Sequence, residues 1–240
     1  MSRSSEMQKS YRTTAIAAAS FFLLTDITAI VGLLLYQPLL TNPKFITSVD
    51  ANATQILMGA LLEIMLSACI VGTAVVLYPI LKKQSQALAM GYVIFRAIEA
   101  TIILVGVACI LTTLSMRSSF LALGGDASAY EAIGAAFVAL QKWTFLLGPN
   151  IILPINATIL GYLLFKSRLV PRAISSLYLF DGPILLASSI CVLFGLYGQT
   201  APLAIAIAMP ALAFEVSFSF WLIVKGFNQS ALATLETKVS

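Results

Sequence analysis

Seven ionisable side chains stand inside otherwise apolar runs of this chain: Asp26, Glu63, Arg96, Glu99, Lys142, Asp181 and Glu215. Arg96 and Glu99 are three residues apart near the middle of the run from Ala87 to Leu114. At that spacing they share one face of a helix. Each ionisable group would cost about 2.5–3.5 kcal/mol at mid-bilayer, about 20 kcal/mol for the seven if each stood alone in lipid. A folded domain is stable by only about 5–15 kcal/mol, so these groups must be paired, neutralised or wetted. Buried carboxylates beside a fixed cation can hold a polar ligand, pass a proton, or act as acid and base. The candidate site is Asp26, Glu63, Arg96, Glu99, Asn150 and Glu215.

Pairing alone leaves three acids over, because five carboxyls face two bases. In a low dielectric they cannot all be ionised. Arg96, one turn away, keeps Glu99 charged, so Glu63 and Glu215 are the candidates to hold a proton. Counting from the ends of each run puts Asp26, Glu99 and Glu215 near the midplane. Glu63 and Lys142 fall towards one half, Arg96 and Asp181 towards the other. Glu215 sits on a small-residue stripe with Ala208, Ala211 and Ser219, and Glu63 on one with Gly59 and Ser67. Such stripes let helices approach closely. Lys142 is expected to snorkel to an interface, and Asp181 to bond backbone or hydroxyl groups.

The elements that must position these groups are transmembrane helices. The chain is 60% hydrophobic and 10% charged, with a mean hydropathy of +0.97; soluble domains carry about 25% charge. Six apolar runs are long enough to cross a bilayer core of about 30 Å. They cover about 13–35, 53–81, 87–114, 132–165, 173–197 and 202–227. The expected organisation is a tail over 1–12, a six-span membrane domain over 13–227 and a tail over 228–240. The first run exceeds the apolar region of a signal peptide and carries Asp26, so it reads as an uncleaved helix. The fourth would be about 51 Å long as a straight helix. It contains Pro149 and Pro154, which each remove a backbone donor and should kink or break it. Between and around them, Gly148 to Asn156 could form an unwound segment lining a cavity. The fold class is therefore all-α, a six-helix transmembrane bundle with a long, proline-broken fourth helix.

Loop charges set the orientation. Ten lysines and arginines fall on the side holding both termini, and only Lys44 and Arg117 fall opposite. That bias predicts both termini in the cytoplasm. Tyr36, Tyr78, Trp143, Tyr162, Tyr197 and Trp221 lie near run ends and read as interface anchors. Gly59, Gly72 and Gly106 recur as Gly148, Gly161 and Gly195 at an offset of 89, a possible internal repeat.

Absences narrow the chemistry. The sequence has no histidine, which removes the usual imidazole zinc sites, Ser-His and Cys-His nucleophile pairs and histidine-ligated haem. All three cysteines lie within apolar runs, and no phosphate loop or nucleic-acid-binding pattern is found. No metal, cofactor or nucleic-acid partner is expected. The expected partners are the lipid bilayer and a small-molecule or ion ligand, with a homo-oligomer left open.

Several strings resemble a family of bacterial multi-pass membrane proteins defined only as a domain of unknown function. They are Gly59-Ala-Leu-Leu-Glu63, the stretch from Gly72 to Lys83, Gly91-Tyr-Val-Ile-Phe-Arg-Ala-Ile-Glu-Ala100, the stretch from Ser167 to Arg172, and Phe214-Glu-Val with Trp221 to Phe227. The resemblance covers about residues 10–228 and implies a bacterial cytoplasmic-membrane protein. It brings no catalytic residue, and Asp181 stands where it implies an apolar one. Three function classes follow. A small-molecule or proton-coupled transporter comes first, and a non-catalytic membrane subunit or sensor second. A membrane-embedded enzyme on a lipid or quinone comes third, lowered by the absence of histidine and of an obvious nucleophile.

Overall fold

The apolar runs fold as helices because lipid offers no partner for backbone N–H and C=O groups, and a helix satisfies them within the segment. The computed structural model describes residues 3–48 and 52–237; Lys238, counted above among the basic residues, lies outside them. The helices are α1 (Arg3–Thr41), α2 (Ala53–Leu81), α3 (Gln86–Leu123) and α4 (Ala127–Phe145). A π-helical segment, Leu146–Ile152, leads into α5 (Leu153–Ser167), followed by α6 (Arg172–Leu193), α7 (Pro202–Val224) and α8 (Gln229–Thr237). No strand occurs among the described residues. Six stretches are long and apolar enough to cross a membrane, with α4, the π segment and α5 forming one of them.

Caps fix where several helices start. Asn52 accepts from the Gln55 N–H at 3.1 Å, Ser85 from Leu88 at 3.4 Å and Asp126 from Ser128 at 2.9 Å. Side-chain oxygens at these positions satisfy donors that the first turn leaves unpaired. The third helix runs well past the expected end at Leu114. In its polar continuation Thr112, Ser115 and Ser119 satisfy their hydroxyls on their own i−4 carbonyls, and the helix stops at Gly124, which takes φ 70°. The expected loop over 115–130 thus shrinks to Gly124–Asp126.

The fourth crossing is broken, but it is not unwound. Pro149 has no N–H to give, and its ring would collide with a carbonyl one turn back in an α-helix. Widening to a π turn relieves this, and Leu153 N–H closes the segment onto Gly148 O, five residues back. Such turns are rare and concentrate at functional sites. Gly148 sits tight against α3, where a Cβ would stand 3.2 Å from Ile102 and 3.5 Å from the Glu99 carbonyl.

Consecutive crossings pack as neighbours, and α7 closes the ring against α1. α5 and α6 meet backbone to backbone: a Cβ on Gly161 would lie 2.5 Å from Leu179 N, and one on Gly182 would lie 2.8 Å from Pro154 O. α1 and α2 cross at Gly32 and Gly59, where a Cβ on Gly59 would stand 3.0 Å from Gly32 O. Phe22 of α1 meets Phe214 and Phe218 of α7 edge to face. The outer surface is apolar, with Ile27, Leu34, Val75, Phe180 and Val224 all exposed. The proposed 89-residue repeat finds no structural echo in its last pair. Gly106 packs in mid-helix against Thr144, whereas Gly195 ends α6 at φ 73° in open space.

At one end of the bundle the chain is clasped. Tyr11 of α1 donates to Glu236 of α8 and accepts from Lys83, which pairs with Glu236 at 3.3 Å. Hydrogen bonds from Tyr11 and then Lys83 hold the Glu236 carboxyl below the usual carboxylate range. Desolvation pulls Lys83 down, but its bonds to Tyr11 and Glu236 outweigh this and leave it raised. Arg12 donates to the Leu222 and Ile223 carbonyls. A cation there satisfies acceptors left open at the end of α7 and matches its dipole.

Candidate functional site

A polar cluster gathers on one face of α3. Tyr92, Arg96 and Glu99 recur at helical spacing and all are buried. Arg96 Nη1 donates to Glu99 Oε2 at 3.3 Å, and its Nε–H donates to the Tyr92 hydroxyl at 3.2 Å. The guanidinium also lies over the rings of Tyr92 and Phe22, 5.5 and 5.7 Å from their centroids. Asn156, on the first turns of α5, donates to Glu99 Oε2 at 2.8 Å. The π segment explains how it arrives, because the widened turn re-phases α5 relative to α4 and swings Asn156 towards α3.

A carboxyl pair from α1 and α7 completes the cluster. Tyr178 of α6, stacked on Phe214 at 3.7 Å between centroids, donates to Glu215 Oε1. The Glu215 carboxyl lies near Asp26 on α1, and the Arg96 charge acts on both. Two carboxyls can hydrogen-bond only if one of them carries a proton. Asp26 Oδ2 is buried with no hydrogen-bond partner among the described residues. As whole residues Asp26 and Glu215 are half-buried, at the α1–α7 seam. Three carboxyls, Asp26, Glu99 and Glu215, therefore surround one guanidinium.

Glu63 stands apart from this cluster. It accepts from Tyr36 Oη at 3.1 Å. Gly32 leaves the room, since a Cβ there would stand 3.3 Å from Glu63 Oε1. Beside the pair is a cavity of about 20 Å³, lined among others by Tyr36, Glu63, Gly106, Gln141 and Thr144. That volume suits a single water. Gln141 Oε1 is buried there with no hydrogen-bond partner. The cavity's wall at Gly106 is two turns of α3 beyond Glu99, about 10 Å along the axis.

Residues 17–226 match the sequence model of a family described as a domain of unknown function, DUF4386. The chain belongs to that family. No curated protein and no solved structure matches it. The match runs from within α1 to just past α7 and contains the Arg96 cluster and the Glu63 site, while α8 lies beyond it.

Within this family member, the sequence-derived candidates separate into three groups. Asp26, Arg96, Glu99 and Glu215 converge. Glu63 forms its own site with Tyr36. Asn150, half-buried in the π segment, has no hydrogen-bond partner among the described residues, and Asn156 supplies the amide instead. Lys142 is exposed, as snorkelling requires. Asp181 is buried on α6, and its Oδ2 has no hydrogen-bond partner among the described residues. Tyr36 is 1% exposed and serves Glu63 as a donor, so it is not an interface anchor. Tyr178 and Gln141 carried no signal in the sequence. Arg117, assigned to a loop, is 7% exposed on α3, donating to Ser48 O at 3.0 Å over Phe45. No cluster of three or more histidine, cysteine, aspartate or glutamate residues suited to a metal occurs among the described residues.

Proposed function

We propose that this protein is a proton-coupled carrier of the bacterial cytoplasmic membrane, with both termini inside. Its working centre is the Asp26–Glu215 carboxyl pair beside Arg96. The observation that carries this reading is the meeting of those two carboxyls next to a single buried guanidinium. One proton shared by two acids is a site that can be filled and emptied, and Arg96 stabilises the emptied form. The π segment against Glu99 supplies a locally weaker stretch of helix where a small repacking can couple the proton to movement. The cytoplasmic placement of the termini follows from the excess of lysine and arginine at the end where Tyr11 meets Glu236.

The test is a pH titration of the protonated-carboxyl infrared band in purified protein reconstituted in vesicles, from about pH 5 to about pH 9. The parent should show a band that titrates. Glu215→Gln, which keeps shape and hydrogen bonding, should remove that component and still melt like the parent. A band that stays constant across the range would mean the acids are permanently protonated and would end the carrier reading. The second reading is a non-catalytic subunit with static buried charges. It is favoured by the cavity beside Glu63, which has room for only one water.

A further inference from the structure

Three exposed cations at the clasped end converge on one recess that no described acid lines. Arg168 and Arg172 flank the turn between α5 and α6, and Lys225 caps the end of α7. The two turns are tied together by the Asn228 N–H on Leu169 O at 2.9 Å. Between them opens a recess of about 750 Å³, lined by these cations, Trp221, Asn228 and Gln229. Sites for small ligands have volumes of about 300–1,000 Å³. Among the described residues none of the three cations forms an ion pair, whereas Lys83 at the same end has Glu236. Holding three like charges around one opening costs repulsion that a bound anion removes. The backbone commits to this placement as well. Arg168 takes φ 58°, which a non-glycine residue adopts at a cost. Trp221 also lines the recess, and its indole N–H is buried without a hydrogen-bond partner among the described residues.

We propose that this recess binds the phosphate-bearing headgroup of an anionic phospholipid from the leaflet on the basic side. Guanidinium groups match phosphate with paired N–H donors, and Lys225 adds a point charge. The lipid, as distinct from a free phosphate, follows from the position of the recess. It opens at the ends of α5, α6 and α7, level with the bilayer interface. Just below it α7 exposes Phe220 (58%) and Val224 (65%), an apolar surface along which acyl chains would lie. Basic pockets between helices at such an interface recognise anionic headgroups.

Trp143 and Trp221 are the two tryptophans of the chain, so Trp143→Phe leaves a single fluorophore in the recess wall. The full chain in neutral detergent is titrated with dihexanoylphosphatidylglycerol, with dihexanoylphosphatidylcholine and with sodium phosphate. The expected result is a saturable change with phosphatidylglycerol, at least about tenfold tighter than with either other probe. Arg168→Gln, Arg172→Gln and Lys225→Gln should each weaken it about fivefold, and the triple variant about a hundredfold. A control triple variant at the same end, Lys9→Gln/Lys82→Gln/Lys166→Gln, should keep parental affinity. All three of its cations are exposed, so both triple variants should melt like the parent. Equal affinity for sodium phosphate would overturn the lipid assignment. An equal loss in the control would overturn the recess as the site, and so would a titration that does not saturate.

Discussion

Removing Arg96 should destabilise the protein more than removing Arg96 and Glu99 together. Arg96 is 3% exposed and Glu99 1%. With Arg96→Gln, Glu99 keeps only Asn156 as a donor, at 2.8 Å. The Asp26–Glu215 pair then keeps only the Tyr178 hydroxyl. A buried charge left without its partner costs about 3–5 kcal/mol. At about 2–4 °C per kcal/mol for a chain of this size, the single variant should melt about 6–20 °C below the parent. Adding Glu99→Gln removes the stranded charge, and the new amide can still bond Asn156. Contacting residues couple by about 0.5–3 kcal/mol. The double variant should therefore melt above the Arg96→Gln single variant, by at least about 2 °C. The assay is thermal unfolding in one detergent at neutral pH, with the parent, both single variants and the double variant side by side. If the double variant instead loses the sum of the two single losses, the pair does not function as a unit, and the account of the cluster given above fails.

The clasp and the orientation each give a simpler expectation. The Glu236 carboxyl is held low by Tyr11 and Lys83, so its contribution is present above the unfolded value of about 4.3 and is lost as pH falls through the lower folded value. Because the side chain is about a third exposed, Glu236→Gln should cost only about 0.2–1 kcal/mol at pH 7, and less in acid as the carboxylate protonates. Melting curves of both proteins at neutral and acid pH measure this, and an undiminished difference in acid would point to packing instead of charge. For the orientation, Lys44→Cys and Lys82→Cys are placed in a version lacking the three native cysteines. An impermeant thiol reagent outside intact cells should label position 44 and spare position 82, and the reverse pattern would invert the topology.

What could be read in advance was what depends on local geometry. Six apolar runs imply six crossings because an isolated span must satisfy its own backbone. Arg96 and Glu99 could be paired on paper because three residues along one helix is a fixed distance. Pro149 and Pro154 announced a break because the chemistry of proline is local. The form of the break was another matter. A lost N–H can be answered by unwinding, kinking or widening, and the packing of Gly148 against Ile102 and the Glu99 carbonyl goes with the widened turn.

The contacts that make the site depend instead on how helices distant in the sequence rotate and cross. Asp26 and Glu215 are 189 positions apart in the chain, and no periodicity in either helix says that one faces the other. Their meeting follows from the closure of α7 on α1 through Phe22, Phe214 and Phe218. Tyr178 reaches Glu215 because Gly161 and Gly182 let α5 and α6 touch backbone to backbone, which fixes the rotation of α6. The Gly32–Gly59 crossing likewise places Glu63 under Tyr36, away from Arg96. Asn150 was the expected amide of the site, but the π turn sets the phase of α5 so that Asn156 reaches Glu99 instead. The sequence by itself determined the membrane class, the spans and the need for a buried polar centre, since burial cost and backbone satisfaction are properties of each segment. Only the tertiary structure decided which acids share that centre, because helix rotation and crossing are set by steric contacts between segments far apart in the chain.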